Sequence, residues 1–204
     1  MTDKYCYPNS DVLKNKKNII TSSELLAAET EYTSIRLLEL QRRPIRGSFD
    51  FKHLCKIHQY IFQDLYGWAG KPRTVDIEKG YQFCLVQYIP NYASQIFSDY
   101  YSDCKSAKHD CPKFIYKLTE HYSDLNALHP FREGNGRAQR EFARELCFDL
   151  GYIFDLTHTC HKDMLNASIA SFSGNNKALE EIFKTAVIPI KNYEKYQGRP
   201  RRSI

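Results

Sequence analysis

His129-Pro-Phe-Arg-Glu-Gly-Asn-Gly-Arg-Ala-Gln-Arg140 is the stretch on which the reading of this 204-residue chain turns. Gly134 and Gly136 stand one residue apart, on either side of Asn135. Glycines at this spacing permit positive φ and close backbone approach. Successive backbone N–H groups can then turn inward as an anion nest. A helix expected from about Arg137 to Leu150 would add its positive N-terminus to the same place. Arg137 and Arg140 lie three residues apart on one face of that helix. Two guanidiniums beside an anion nest suit a polyphosphate, since each can grip phosphate oxygens with two donors. Glu133 would be repelled by phosphate and is expected to act as an oxygen ligand for Mg²⁺. His129 can accept a proton near neutral pH, and Phe131 is expected to anchor the loop. Phosphoryl-type transfer depends mainly on positioning and charge neutralisation, so one base, one metal and a cationic nest form a sufficient set. Taken singly, these residues have bland readings as a structural histidine, a turn and a solvated helix face. Their conjunction within twelve residues carries the functional reading. Neither the GxxxxGK(S/T) spacing of a P-loop nor the GxGxxG spacing of a dinucleotide fold is present, so another architecture is expected.

Outward from the motif, the chain reads as mostly helical. Residues 22–43 form an expected helix, with Ser22 and Ser23 as caps and an apolar stripe of Leu25, Leu26, Ile35, Leu37 and Leu38. Asp50 caps a second helix running to Tyr66, in which Leu54, Ile57, His58, Ile61, Phe62 and Leu65 recur at helical spacing. Gly67-Trp-Ala-Gly70 breaks it. Thr74–Ile77 and Gln82–Val86 are strand candidates around a Glu78–Gly80 turn, together a small hairpin. Further helices are expected at about 90–104, 112–127, 161–171 and 176–187. Residues 1–20 read as an extended leader on the domain, 21–190 as the domain itself, and 191–204 as a basic tail or linker.

Bulk properties set bounds. A chain of this length fits one domain with a substantial core. The formal net charge of +5 suits an anionic ligand but is too small to predict direct nucleic-acid binding. The seven cysteines include no CxxC pair, and the first twenty residues lack the pattern of a secretory signal. Reduced thiols in a cytosolic setting are therefore expected. No apolar run approaches the roughly 18 residues of a membrane span, so no membrane partner is expected.

The sequence resembles Fic-domain proteins. Their signature is His-x-Phe-x-(Asp/Glu)-Gly-Asn-Gly-Arg-x-x-Arg, met by His129, Phe131, Glu133, Gly134, Asn135, Gly136, Arg137 and Arg140. The similarity extends over roughly residues 5–190 and includes Gly67–Arg73, Val75–Ile77 and Asn126–Leu128. The resemblance implies an all-α Fic fold with a small β-hairpin flap over the active site. It implies transfer of AMP from ATP to a Tyr, Ser or Thr hydroxyl of a target protein. His129 would take the proton and Glu133 would hold Mg²⁺ bridging the α- and β-phosphates. Gly134, Asn135 and Gly136 would hold phosphates, with Arg137 on the β-phosphate side and Arg140 on the γ-phosphate. The target would pair with the flap by strand addition near Lys79, Gly80, Tyr81, Gln82 and Phe83. Asn166 and Asn175 are weaker candidates for an adenine pocket near 161–175, with surface or capping roles as their alternative.

Many Fic proteins carry (Ser/Thr)-x-x-x-Glu-(Gly/Asn), whose Glu pairs with the second motif arginine, here Arg140. This chain lacks that pattern. The resemblance therefore implies a separate antitoxin supplying the Glu, or an activity harmless where the protein is made. Relatives in the toxin-type group modify type II topoisomerase subunits. Others are sent into host cells by type IV secretion and modify small GTPases, usually with further domains after the Fic domain. The site is accordingly expected to be bacterial and cytoplasmic, or secreted by a type IV system. The motif leaves transfer of UMP, GMP, phosphate or phosphocholine open. Removal of AMP and a catalytically silent binding module also remain as alternatives.

Overall fold

A computed structural model describes residues 3–78, 80 and 82–192. Lys79 and Tyr81 of the expected flap tip, and the tail from 193 onward, lie outside the described residues. The helices among the described residues are α1 Ser22–Arg42, α2 Phe51–Phe62, α3 Ile89–Ser106, α4 Cys111–Leu128, α5 Asn135–Asp149, α6 His161–Phe172 and α7 Lys177–Ala186. Strands β1 Tyr152–Phe154 and β2 Val187–Pro189 pair antiparallel. The chain forms two compact units: Met1–Phe97 with Leu128–Phe142, and Ser98–Ala127 with Ala143–Ile204.

The first unit holds the whole motif. α2 follows its sequence pattern closely: Asp50 accepts the His53 N–H at 2.7 Å, and Leu54, Ile57, His58, Ile61 and Phe62 are buried. The helix stops at Phe62, four residues short of the expected Tyr66. The chain turns there, and the N–H groups of both Leu65 and Tyr66 bond the Phe62 carbonyl. α1 departs from expectation in two ways. Its cap is Thr21, whose hydroxyl accepts the Glu24 N–H and donates to Glu24 Oε2 at 2.6 Å. Its buried positions are Leu25, Glu29, Thr33 and Leu40, whereas Leu26, Ile35 and Leu38 are exposed. That face buries the polar Glu29 and Thr33 together with Leu25 and Leu40. Arg36 then ties α1 to the turn after α2 through two bonds to Asp64, at 2.7 and 2.9 Å.

The leader folds back on itself through an antiparallel bridge between Cys6 and Leu13. It touches the motif loop, with Arg132 Nε donating to Asp3 at 2.7 Å. It also touches the base of the expected hairpin, where Thr74 donates its N–H to the Tyr5 hydroxyl at 3.1 Å.

The expected hairpin strands at 74–77 and 82–86 are corrected. The chain does reverse there, with an antiparallel bridge between Glu78 and Gln82 and a Phe83 N–H bond to the Ile77 carbonyl. Val86 already starts a 3₁₀ turn, Val86–Tyr88, leading into α3. Arg73 donates to the carbonyls of both Val75 and Cys84, one on each arm.

The second unit has an aromatic core. Phe114 stacks on Tyr152 at 4.3 Å, and Phe183 meets Tyr122 and Phe154 edge-on. Its strands were not expected from the sequence. They pair Tyr152 with Pro189, Ile153 with Ile188 and Phe154 with Val187. The sequence pattern places Val187 at the end of a helix over about 176–187 and assigns no element to Ile188 and Pro189. The partner strand supplies what local propensity did not, and Pro189, which lacks an N–H, falls at the end of the ladder.

Candidate active site

α4 ends at Leu128, and His129 turns the chain with φ +44°, a left-handed conformation uncommon outside glycine. The loop is closed by Asn135. Its Oδ1 accepts the Phe131 N–H at 2.9 Å and its Nδ2 donates to the Phe131 carbonyl at 2.8 Å. Asn135 is almost fully buried. Its side chain is thus committed to the loop, and only its backbone can serve an anion. α5 begins at Asn135, two residues earlier than expected, so Asn135, Gly136 and Arg137 form its first turn. Their N–H groups have no acceptor one turn back and point out of the helix start. Gly134 sits before them at φ +80°, and its own N–H donates to Glu133 Oε1 at 2.9 Å.

The loop rests on His58 of α2, which the sequence reading assigned only to the core. Gly70 donates its N–H to His58 Nδ1 at 2.8 Å. Nδ1 is therefore the acceptor, and Nε2 donates to the Glu133 carbonyl at 2.9 Å. The ring stacks on Phe131 at 3.8 Å and on Phe62 at 4.7 Å. Burial pushes the His58 pKa down to about 4. The sign follows directly. Folded His58 stays neutral while the unfolded histidine protonates near 6.5, so its stability contribution is intact above that pH and falls as pH drops toward 4. Complete loss amounts to about 3–4 kcal/mol. Urea midpoints measured from pH 7 to pH 4 should fall in the wild type. In His58→Gln they should start lower and lose that part of the slope.

The two arginines differ in employment. Arg137 reaches α1, where its Nη2 lies 2.9 Å from Glu29 and its Nη1 donates to Thr33 at 3.3 Å. Its guanidinium lies over the Phe62 ring at 4.7 Å and stands 3.8 Å from Glu133. Tyr66 adds a hydroxyl bond to the buried Glu29 at 3.1 Å. Nothing in a linear reading couples residues 108 positions apart. Arg140 instead folds toward the helix start. Its Nη1 would lie 3.0 Å from a Cβ placed on Gly136. Among the described residues no carboxylate pairs with Arg140.

His129 faces the flap, its ring stacked on Phe83 at 3.8 Å. Gly80 and Gln82 belong to the same reversal, in which Gln82 forms the bridge with Glu78. Asn166 and Asn175 lie exposed in the second unit, and Asn175 accepts the Lys177 N–H at 3.3 Å ahead of α7. That contact is an Asx turn one residue ahead of Asn176, the N-cap of α7. Glu133 supplies one half-exposed carboxylate beside the helix start. Among the described residues no cluster of three or more potential metal ligands occurs. A lone carboxylate beside a helix start fits Mg²⁺, which often binds through one carboxylate and completes its shell with substrate phosphates and water.

The Fic/DOC family model matches residues 48–147. The chain is 37% identical over 183 residues to the protein adenylyltransferase VbhT of Bartonella schoenbuchensis, covering 89% of this chain but only 38% of that protein. It is 32% identical to the probable protein adenylyltransferase Fic of Salmonella typhimurium, covering 94% of this chain and 96% of that one. Among solved structures, the ADP-bound N-terminal Fic domain of a VirB-translocated Bep effector from Bartonella quintana superposes with a TM-score of 0.85 at 26% identity. That match covers 94% of this chain and 97% of that domain. With the motif, the helical fold and these likenesses in agreement, the chain belongs to the Fic/DOC family.

Proposed function

We propose that this chain is a protein adenylyltransferase, moving AMP from ATP to a Tyr, Ser or Thr hydroxyl of a target protein. The observation that carries the reading is His129 on the loop beside the start of α5, with Arg140 folded over Gly136. Triphosphate oxygens lie against the N–H groups of Asn135, Gly136 and Arg137, and Arg140 takes the terminal phosphate. Glu133 would hold Mg²⁺, which when bound neutralises charge on the α- and β-phosphates. His129 accepts the proton of the target hydroxyl as its oxygen attacks the α-phosphorus. The bond between the α-phosphorus and the bridging oxygen breaks, and pyrophosphate leaves with the electron pair. Since the pair Glu29–Arg137 is already satisfied, most of the terminal-phosphate grip falls to Arg140.

The target docks as an extended segment along the flap. Support comes from Phe83, next to the reversal and flat against His129. A separate antitoxin would reach the site by placing a Glu on Arg140, the arginine without a carboxylate partner among the described residues. A type II topoisomerase subunit and a host small GTPase are the target classes that the family resemblance offers. No helix among the described residues is long and apolar enough to cross a membrane. The proposed place of action is the bacterial cytoplasm, or a host cell reached through type IV secretion.

The test uses ATP radiolabelled on either the α- or the γ-phosphate, incubated with a lysate. Label from the α-position should appear on protein, and label from the γ-position should not. Protein labelled only from the γ-position would replace AMP transfer with phosphorylation. Competition by UTP or GTP stronger than by ATP would reassign the nucleotide.

A further inference from the structure

The flap and the catalytic loop meet at one side chain. Arg73 lies between Gly70, where the turn after α2 ends, and the flap. Its side chain is fully buried. Nε donates to the His129 carbonyl at 2.9 Å. Nη1 donates to the Val75 carbonyl at 2.9 Å, and Nη2 to the carbonyl of Cys84. The backbone N–H of Arg73 donates to the Pro130 carbonyl at 2.8 Å. Asp76, half exposed, stands 3.7 Å from Nη1 and accepts the Val86 N–H at 2.8 Å through the same oxygen. Thus both arms of the flap and two consecutive carbonyls of the motif loop converge on one residue.

A buried guanidinium is costly unless its donors are used, and here neutral carbonyls use them. Lysine could not replace it. An ammonium is a point donor on a flexible stem, whereas the planar fork presents donors in several fixed directions at once. His129 is also the residue that needs such support. Its left-handed φ is held against a cost of about 1 kcal/mol or more for a non-glycine residue. The carbonyl that Arg73 grips is the one whose direction follows from that conformation.

We propose that Arg73 is a positioning residue that sets the register between the flap, which presents the target hydroxyl, and His129, which removes its proton. The inference rests on the proposed transfer reaction. Its logic is geometric. A hydroxyl bound to the flap reacts only if His129 lies within hydrogen-bond reach, and misplacement by about 1 Å costs on the order of 100-fold in rate. Phe83 contacts the His129 ring from the flap side, but a stacked ring slides easily. The bonds from Arg73 fix both partners in direction. Phosphate binding is a separate matter, since the start of α5 and Arg140 make no bond to Arg73.

The variants Arg73→Lys and Asp76→Ala are compared with wild type in AMP transfer and in ATP binding by calorimetry. Arg73→Lys should lose 10–100-fold in kcat while Kd for ATP stays within about threefold. Asp76→Ala, altered at a half-exposed side chain, should lose several-fold in kcat, again with ATP binding kept. In samples with labelled histidine, the His129 ring resonance should shift or broaden in Arg73→Lys, while the Gly134 and Gly136 amides stay in place. This last measurement needs no turnover. It therefore still judges the coupling if wild type transfers a group other than AMP, or none. A folded Arg73→Lys with wild-type kcat and an unmoved His129 signal would overturn the proposal. So would a weakened ATP Kd with unchanged kcat. If Arg73→Lys does not fold, Asp76→Ala decides alone, and wild-type kcat in that variant overturns the proposal.

Discussion

Replacing His129 by alanine is expected to lower AMP transfer by about 1,000-fold or more while leaving ATP binding within about threefold of wild type. General-base catalysis contributes on the order of 100- to 10,000-fold, and loss of the imidazole removes all of it. Nucleotide affinity should survive, because the N–H groups of the α5 start, Arg140 and Glu133 are untouched. Two structural side effects must be separated from the chemistry. The variant loses the stack on Phe83, and alanine inherits the left-handed φ of +44°. Asparagine tolerates that conformation better than alanine, so His129→Asn should be the more stable of the two and equally inactive. Single-turnover labelling with calorimetry on both variants makes the check. Labelling at the wild-type rate by either would remove His129 from the role of base. Loss of ATP binding in both would make it a residue of the nucleotide pocket.

The parts legible in the sequence share one property: their partners are close in the chain. The turn into α5, proposed to hold phosphate, could be read because Gly134, Asn135, Gly136 and Arg137 are consecutive. α2 could be read because one buried face repeats at helical spacing and Asp50 caps it. What escaped depended on distant partners. α1 was assigned an apolar stripe, yet its inward face carries Glu29 and Thr33, which serve Arg137 from more than 100 positions away. His58 fitted the apolar stripe of α2, and nothing local distinguished a core filler from the support of the Glu133 carbonyl. Arg73 stood in the sequence only as the last residue of the family-like stretch Gly67–Arg73, although its side chain is fully buried. The strand β2 was hidden by a helical neighbourhood and a terminal proline. A buried polar residue is decided by the geometry of its acceptors, and the local pattern holds no record of them.

This division also explains why the motif arginines, alike in the sequence, differ in the structure. Arg137 is held by a buried carboxylate, a hydroxyl and an aromatic face, so its position is set before any ligand arrives. Arg140 folds over the helix start at Gly136, and among the described residues no carboxylate pairs with it. A fixed cation raises the local potential at the helix start without reorganising, while Arg140 is the guanidinium proposed to meet the terminal phosphate. The separate antitoxin proposed above would therefore compete for Arg140.

The second large effect belongs to Gly134. Gly134→Ala should lose both stability and nucleotide binding, whereas Gly136→Ala should lose only the latter. A Cβ on Gly134 would lie 2.1 Å from Cζ and 2.3 Å from Cε2 of Phe62, inside any possible contact distance. Phe62 cannot retreat. It is fully buried, with His58 stacked on it and the Arg137 guanidinium over its ring. Alanine would also have to hold φ near +80°. Left-handed strain of about 1–2 kcal/mol and overpacking of about 1–3 kcal/mol together give a loss of about 2–5 kcal/mol. For a chain of this size that corresponds to a fall in Tm of roughly 5–15 °C. Any shift of Phe62 that relieves the clash moves His58 and Arg137 with it, so the Glu133 carbonyl and the start of α5 are disturbed together. At Gly136 the added methyl meets only the end of the Arg140 side chain, at 3.0 Å, and that flexible group can swing away. Tm should then change little while ATP affinity falls, because the displaced guanidinium is the one proposed to hold the terminal phosphate. Gly67→Ala, with nothing within 4 Å of the new methyl, is the control expected to be silent in both measurements. Equal Tm values for Gly134→Ala and Gly136→Ala would show that Phe62 yields, and would end the claim that the loop and α2 are locked together.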